Sequence, residues 1–235
     1  MSWIMRPKRK WRGQAMNWKI LGSEAVGTYA LVFTGCGAVV TNDLFDVGFG
    51  ALGINLVFGM VVMAVVYSLG NVSGAHINPA VSIAFCASGR LERRLLAPYI
   101  AAQCLGATAA AFTLRLLFPD HSGYGMTATV IDVPRTFLFE VLLTFGLMFV
   151  IFNVLSGNGA KKVMAGLVIG AAVTLLSMFG GGVTGASMNP ARSIGPALAA
   201  QNLELLWLYL TAPPIGAMLA WPAARWLQGD DFLAD

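Results

Sequence analysis

Residues 73–84 read SGAHINPAVSIA, and residues 184–195 read TGASMNPARSIG; seven of the twelve positions are identical at an offset of 111. A second pair, EAVGTYALVF at 24–33 and EVLLTFGLMF at 140–149, keeps Glu, Thr, Leu and Phe in register at an offset of 116. The chain is thus written twice, and the apolar stretches around the copies dictate how the halves can be arranged. A helix that crosses a hydrocarbon core needs about 20 mainly apolar residues. Six stretches qualify: 18–40, 49–69, 95–118, 133–155, 162–178 and 203–226. Two shorter segments, 79–88 and 190–199, follow the copies of Asn-Pro-Ala. At about 1.5 Å per residue each reaches only about half-way across a membrane. Each half then reads span, span, half-helix, span. Three spans is an odd number, so the second half enters the membrane upside down relative to the first. The two half-helices dip in from opposite faces and meet near the midplane.

The expected fold is an all-α membrane protein of six transmembrane helices plus two re-entrant half-helices in an inverted repeat. The chain is 57% hydrophobic and 11% charged, with a mean hydropathy of +0.71. Soluble domains carry about 25% charged residues, and the apolar runs are too long and too many for a soluble core. The expected organisation is a basic N-terminus (1–17), a first half-repeat (18–118), an extracellular connecting loop (119–132), a second half-repeat (133–227) and a short tail (228–235). The start, MSWIMRPKRKWRGQAMNWK, is basic and has no compact apolar core before a small-residue cleavage site, so no cleavable leader is expected.

Cationic residues gather on cytoplasmic loops. With both termini cytoplasmic, that side holds Arg6, Lys8, Arg9, Lys10, Arg12, Lys19, Arg90, Arg93, Arg94, Lys161, Lys162 and Arg225, against Arg115, Arg135 and Arg192 elsewhere. The basic run reads as an orientation signal beside anionic lipid and needs no nucleic-acid partner. Cys36, Cys86 and Cys104 fall in apolar segments with neither metal-ligand spacing nor an even count, and read as small core residues.

Irregular backbone at membrane depth is tolerated only where protein buries it or it lines a wet cavity. Two such interruptions, placed pseudo-symmetrically, point to a permeation path. Asn is a favoured N-cap, and proline suits the first helical turn. Asn78-Pro79-Ala80 and Asn189-Pro190-Ala191 each read as a helix start. Two positive dipole ends then converge on one place, which repels cations while an Asn amide hydrogen-bonds a neutral molecule.

These paired motifs, in matched context from Glu24 to about Trp221, resemble the aquaporin (major intrinsic protein) superfamily. The stretches PYIAAQCLGAT (98–108) and GASMNPARS (185–193) look most like the plant nodulin-like intrinsic proteins and their bacterial relatives. The resemblance implies one pore per protomer and a homotetramer in the cell membrane. It implies that Asn78 and Asn189 donate hydrogen bonds to the permeant, and that carbonyls of Gly74, Ala75, His76, Gly185 and Ser187 accept them. It places an aromatic/arginine constriction at Phe58, Ser177, Ala186 and Arg192. Strict water channels resemble one another in having His where this chain has Ser177 and a larger polar residue where it has Ala186, so the opening here is expected to be wider. Ser193 and Tyr209 look water-channel-like, whereas Leu210 looks facilitator-like. The function implied is passive permeation of water and small uncharged solutes, glycerol-like polyols, urea or metalloid hydroxides, with protons and ions excluded. A strictly water-selective pore is the alternative.

Glu24 and Glu140 lie inside spans, where a carboxylate is costly. They read either as a cation or proton site or as buried acceptors for the re-entrant loops, the role the family resemblance implies. His76 reads as a gate or as a packed side chain with its carbonyl toward the pore, and His121 as a solvated loop residue. Glycines 27, 59, 106, 170 and 216 read as close-packing positions. A membrane enzyme would need clustered His, Asp, Glu or Cys in one cavity, and the sequence supplies no such set. An ion channel or coupled transporter would need a charged pathway. A conductionless structural role fits poorly with Arg192 beside two Asn motifs. No cofactor and no metal is implied.

Overall fold

The computed structural model describes residues 17–156 and 163–229, and among these it contains eight helices and no strand. The basic residues Arg6, Lys8, Arg9, Lys10, Arg12, Lys161 and Lys162 and the tail from Asp230 lie outside the described residues. In chain order the helices are α1 (Trp18–Phe45), α2 (Gly50–Ser73), α3 (Pro79–Ala87), α4 (Arg93–Leu117), α5 (Val133–Leu155), α6 (Ala165–Thr184), α7 (Pro190–Ala200) and α8 (Leu206–Gln228). The expected pattern of two long helices, one short and one long therefore occurs twice.

Five of the long helices, α1, α2, α4, α5 and α6, are long and apolar enough to cross a membrane. The sixth expected span is α8, of 23 residues; Pro213, Pro214, Pro222 and Arg225 within it lower its apolarity. At about 1.5 Å per residue, α3 with nine residues and α7 with eleven reach only about half that depth.

The helix ends differ from expectation for local reasons. Residues 69 and 178 are the expected ends of the second and fifth spans. Both helices run on, to Ser73 and Thr184. They stop where Gly74 (φ 90°) and Gly185 (φ 79°) turn left-handed and bond back to Gly70 and Gly181 carbonyls. The first span continues past Val40 to Phe45, ending at Asp46 (φ 45°), whose N–H bonds to the Asn42 carbonyl.

The packing repeats with the sequence. α1 packs on α2 and α4; α5 packs on α6 and α8; α2 and α6 pack on each other across the pseudo-two-fold axis. Close backbone approach sets the α1–α4 and α5–α8 spacing. A Cβ on Gly106 would overlap the Ala25 carbonyl oxygen, and one on Gly216 would overlap that of Val141. The half-helices cross over: α3 packs chiefly on α8 and α7 chiefly on α4, so each half buries the short helix of the other.

Candidate pore and its constriction

Both half-helices begin as their sequences dictate. Asn78 and Asn189 are extended N-caps (φ −158° and −152°), each with proline in the first turn. The Asn78 side-chain oxygen accepts from Ala80 N–H at 2.9 Å, and that of Asn189 from Ala191 and Arg192 N–H at 3.0 and 3.3 Å. Their amide nitrogens cross between the halves. Asn78 Nδ2 donates to the Met188 carbonyl and Asn189 Nδ2 to the Ile77 carbonyl, each at 2.8 Å. Each amide keeps a second N–H.

The loops that lead into these caps are contorted in the same way. Ala75, Ile77, Ala186 and Met188 all have positive φ, between 39° and 51°. Such backbone costs of order 1–3 kcal/mol per residue and persists only where its surroundings over-determine it. Two buried carboxylates supply much of that constraint. Glu24 Oε1 accepts from Ser73 Oγ (2.6 Å) and His76 N–H (2.9 Å), and Oε2 from Ile77 N–H (2.7 Å) and Gln103 Nε2 (2.8 Å). Glu140 Oε1 accepts from Thr184 Oγ1 (2.7 Å) and Ser187 N–H (2.9 Å), and Oε2 from Met188 N–H (3.0 Å). Both glutamates are fully buried, and neither lines the cavity described below.

With these N–H groups directed at the carboxylates, the carbonyls of Gly74, Ala75, His76, Gly185, Ala186 and Ser187 accept no hydrogen bond from the described residues. Two tyrosine hydroxyls pin the preceding helix ends, Tyr99 to the Ser73 carbonyl and Tyr209 to that of Thr184, both at 2.8 Å. Sequence reasoning missed this pair as a unit, although the two tyrosines recur at an offset of 110.

One cavity threads the molecule between the halves. It provides about 120 Å³ for the centres of water-sized molecules, and each water needs about 10–15 Å³ on that measure. All five residues from Gly74 to Asn78 line it, as do all five from Gly185 to Asn189. One end is apolar, with Val66, Phe85, Ile151, Leu155 and Ile169 on its walls. His76 is held inside the fold: its Nδ1 lies 3.0 Å from Ser82 Oγ, and its ring packs between Phe85 and Tyr99.

At the other end the cavity brings Phe58, Ser177, Ala186 and Arg192 together, from α2, α6, the loop before α7, and α7. The Arg192 guanidinium sits over the Phe58 ring, Cζ to centroid 5.1 Å, and is only 6% exposed. Its NH1 donates to the Gly125 carbonyl at 2.8 Å. Gly35 makes room for the Phe58 ring, which a Cβ there would strike. Val81, the repeat counterpart of Arg192, also faces the cavity but brings no charge.

The Gly125 contact is a second feature that sequence reasoning missed, because it comes from the connecting loop. Part of that loop is folded inward, with Tyr124, Gly125 and Thr127 buried. His121, expected to be solvent-facing, accepts the N–H groups of Gly123 and Tyr124 on Nδ1 at 3.2 and 2.8 Å, and its Nε2 lies 3.1 Å from Asp43. Thr127 Oγ1 donates to Ser193 Oγ at 3.1 Å, tying the loop to α7.

Residues 11–222 match a family model described as major intrinsic protein. The chain is 44% identical over 201 residues to Aquaporin NIP1-1 of Zea mays, covering 85% of this chain and 71% of that one. It is 44% identical over 203 residues to Nodulin-26 of Glycine max, covering 86% and 75%. In shape it is similar to the aquaglyceroporin from Plasmodium falciparum solved by X-ray crystallography: the TM-score is 0.81 at 23% identity, over 91% of this chain and 96% of that one.

Proposed function

Since the chain belongs to the major intrinsic protein family, it is a multi-pass membrane channel and not an enzyme, and we propose that it conducts water and small uncharged solutes while excluding protons and ions. The solutes are glycerol-like polyols, urea or metalloid hydroxides. The observation that carries this reading is the asymmetric end of the lumen. Arg192 and Phe58 face each other there, with the small side chains of Ser177 and Ala186 completing the ring.

In this reading Arg192 repels cations and donates hydrogen bonds to the solute, and Phe58 supplies an apolar wall. Ser177 and Ala186 leave the width that a carbon-bearing solute needs. Asn78 and Asn189 use their remaining N–H groups to orient the permeant where the two dipole ends converge. The unpaired carbonyls of Gly74, Ala75, His76, Gly185 and Ser187 accept from it. Glu24 and Glu140 are scaffold, since their oxygens are engaged by loop donors away from the lumen. The working assembly is a homotetramer in the cell membrane, with both termini cytoplasmic.

The test is osmotic. Purified protein in liposomes is challenged with glycerol, urea, boric acid or arsenite gradients, with proton flux and conductance recorded in parallel. Fast shrinkage followed by solute-dependent re-swelling, without ion current, is the expected result. Shrinkage with no solute entry would leave a pore for water alone, and appreciable ion current would overturn the proposed exclusion of protons and ions.

A further inference from the structure

Asn55 lies one turn before Phe58 on α2, about 4.5 Å further along the same wall of the lumen. It is only 9% exposed, and its amide makes no hydrogen bond to any described residue. A primary amide offers two donors and an acceptor. Left unpaired in a dry helix contact, such a group costs about 1–3 kcal/mol, so membrane-buried Asn normally pairs across helices. Here the free atoms face the cavity. On the far side they approach Gly181 of α6: a Cβ built there would lie 3.4 Å from Asn55 Oδ1 and 3.8 Å from Nδ2.

Two further polar groups at the same end have unused capacity. Ser177 Oγ, one turn before Gly181, makes no hydrogen bond to the described residues, whereas Ser68 on α2 bonds back to its own helix at Ala64. Arg192 uses one side-chain N–H, on Gly125. Asn55, Ser177 and Arg192 thus come from three different helices, line one stretch of lumen, and flank the apolar Phe58 ring.

We infer that Asn55 is a specificity-determining residue of this pore, which together with Ser177 and Arg192 selects small neutral solutes bearing two or more hydroxyl groups. A polyhydroxy solute gives up several water hydrogen bonds to enter the narrow segment. Asn55 replaces one of them with either a donor or an acceptor while carbon atoms slide over Phe58. A single water, which needs fewer partners, depends on it less. The inference rests on the channel reading above and deepens it.

The test is glycerol against water in the same proteoliposomes, comparing wild type with Asn55→Leu, which is close in size but apolar. Glycerol permeability should fall about fivefold, the worth of one net hydrogen bond, while water permeability stays within about twofold. The near-isosteric pair Asn55→Ser and Asn55→Ala separates hydrogen bonding from size: the serine variant should admit glycerol several-fold faster than the alanine variant. Unchanged glycerol entry through Asn55→Leu, equal loss of glycerol and water, or identical Ser and Ala variants would each overturn the role of Asn55 alone. A wild type that passes water but no glycerol would remove the solute reading as well.

Discussion

Replacing Arg192 by the valine that its repeat partner Val81 carries makes the two half-helices alike at the one register position where their chemistry diverges most. The guanidinium Cζ stacks over the Phe58 ring at 5.1 Å and Arg192 lines the lumen, so a cation passing beside the pair comes within about 5 Å of a buried charge. At an effective dielectric constant of about 20, two unit charges at that distance repel by about 3 kcal/mol. Loss of that barrier corresponds to an increase of about two orders of magnitude in cation or proton passage. Neutral permeants feel none of this repulsion, so Arg192→Val should keep water permeability within a few-fold of wild type. The assay is proton entry into liposomes loaded with a pH-sensitive dye, under a clamped potassium potential. Arg192→Lys is the companion variant: it keeps the charge and should stay proton-tight. An Arg192→Val protein that conducts water but leaks no more protons than wild type would refute the reasoning, and would assign the whole barrier to the converging helix dipoles. A leaky Arg192→Lys would show that the fixed geometry on Gly125 matters more than the charge.

Ser177→His puts a bulky polar ring into the constriction and should slow glycerol or urea entry more than water flow; equal slowing of both would contradict the placement of Ser177 in the constriction. Glu140→Ala strands the Ser187 and Met188 N–H groups, at about 1–3 kcal/mol each. It should lower the melting temperature in detergent and abolish water and solute flux together, whereas loss of solute flux alone would point to direct contact with the permeant. Gly216→Val forces a side chain onto the Val141 carbonyl and should cost about 1–3 kcal/mol through overpacking, whereas Gly22→Ala, with nothing within 4 Å, should melt close to wild type. Similar melting of the two would mean that α5 and α8 can move apart freely.

The duplication made the architecture legible from sequence, because an odd number of spans per half admits only an inverted arrangement. The two Asn caps and the proline starts followed from short-range pattern, whereas the set Phe58, Ser177, Ala186 and Arg192 came from the family resemblance and not from the residues' own spacing. The helix ends were less legible. Glycine marks a stop only where the backbone turns left-handed, and nothing local distinguishes Gly70, which α2 passes through, from Gly74, which ends it. Long-range partners were not legible at all. The Gly125 carbonyl that steadies Arg192 is 67 residues away, and the tyrosine hydroxyls reach helix ends 25 and 26 residues upstream. Asn55 carries no sequence mark because its significance lies in the partner it lacks.

The exchange of half-helices between the two repeats has a consequence for biosynthesis. α3 finds its principal neighbour in α8, which leaves the ribosome well after it, while α7 finds its own in α4. The first re-entrant segment therefore has a seat only after some 120 further residues have been made and inserted. Until then its hydrogen-bonding Asn78 has no Met188 to close upon. A nascent first half is an unfinished clasp, and the pore is completed only when the second half arrives to close it.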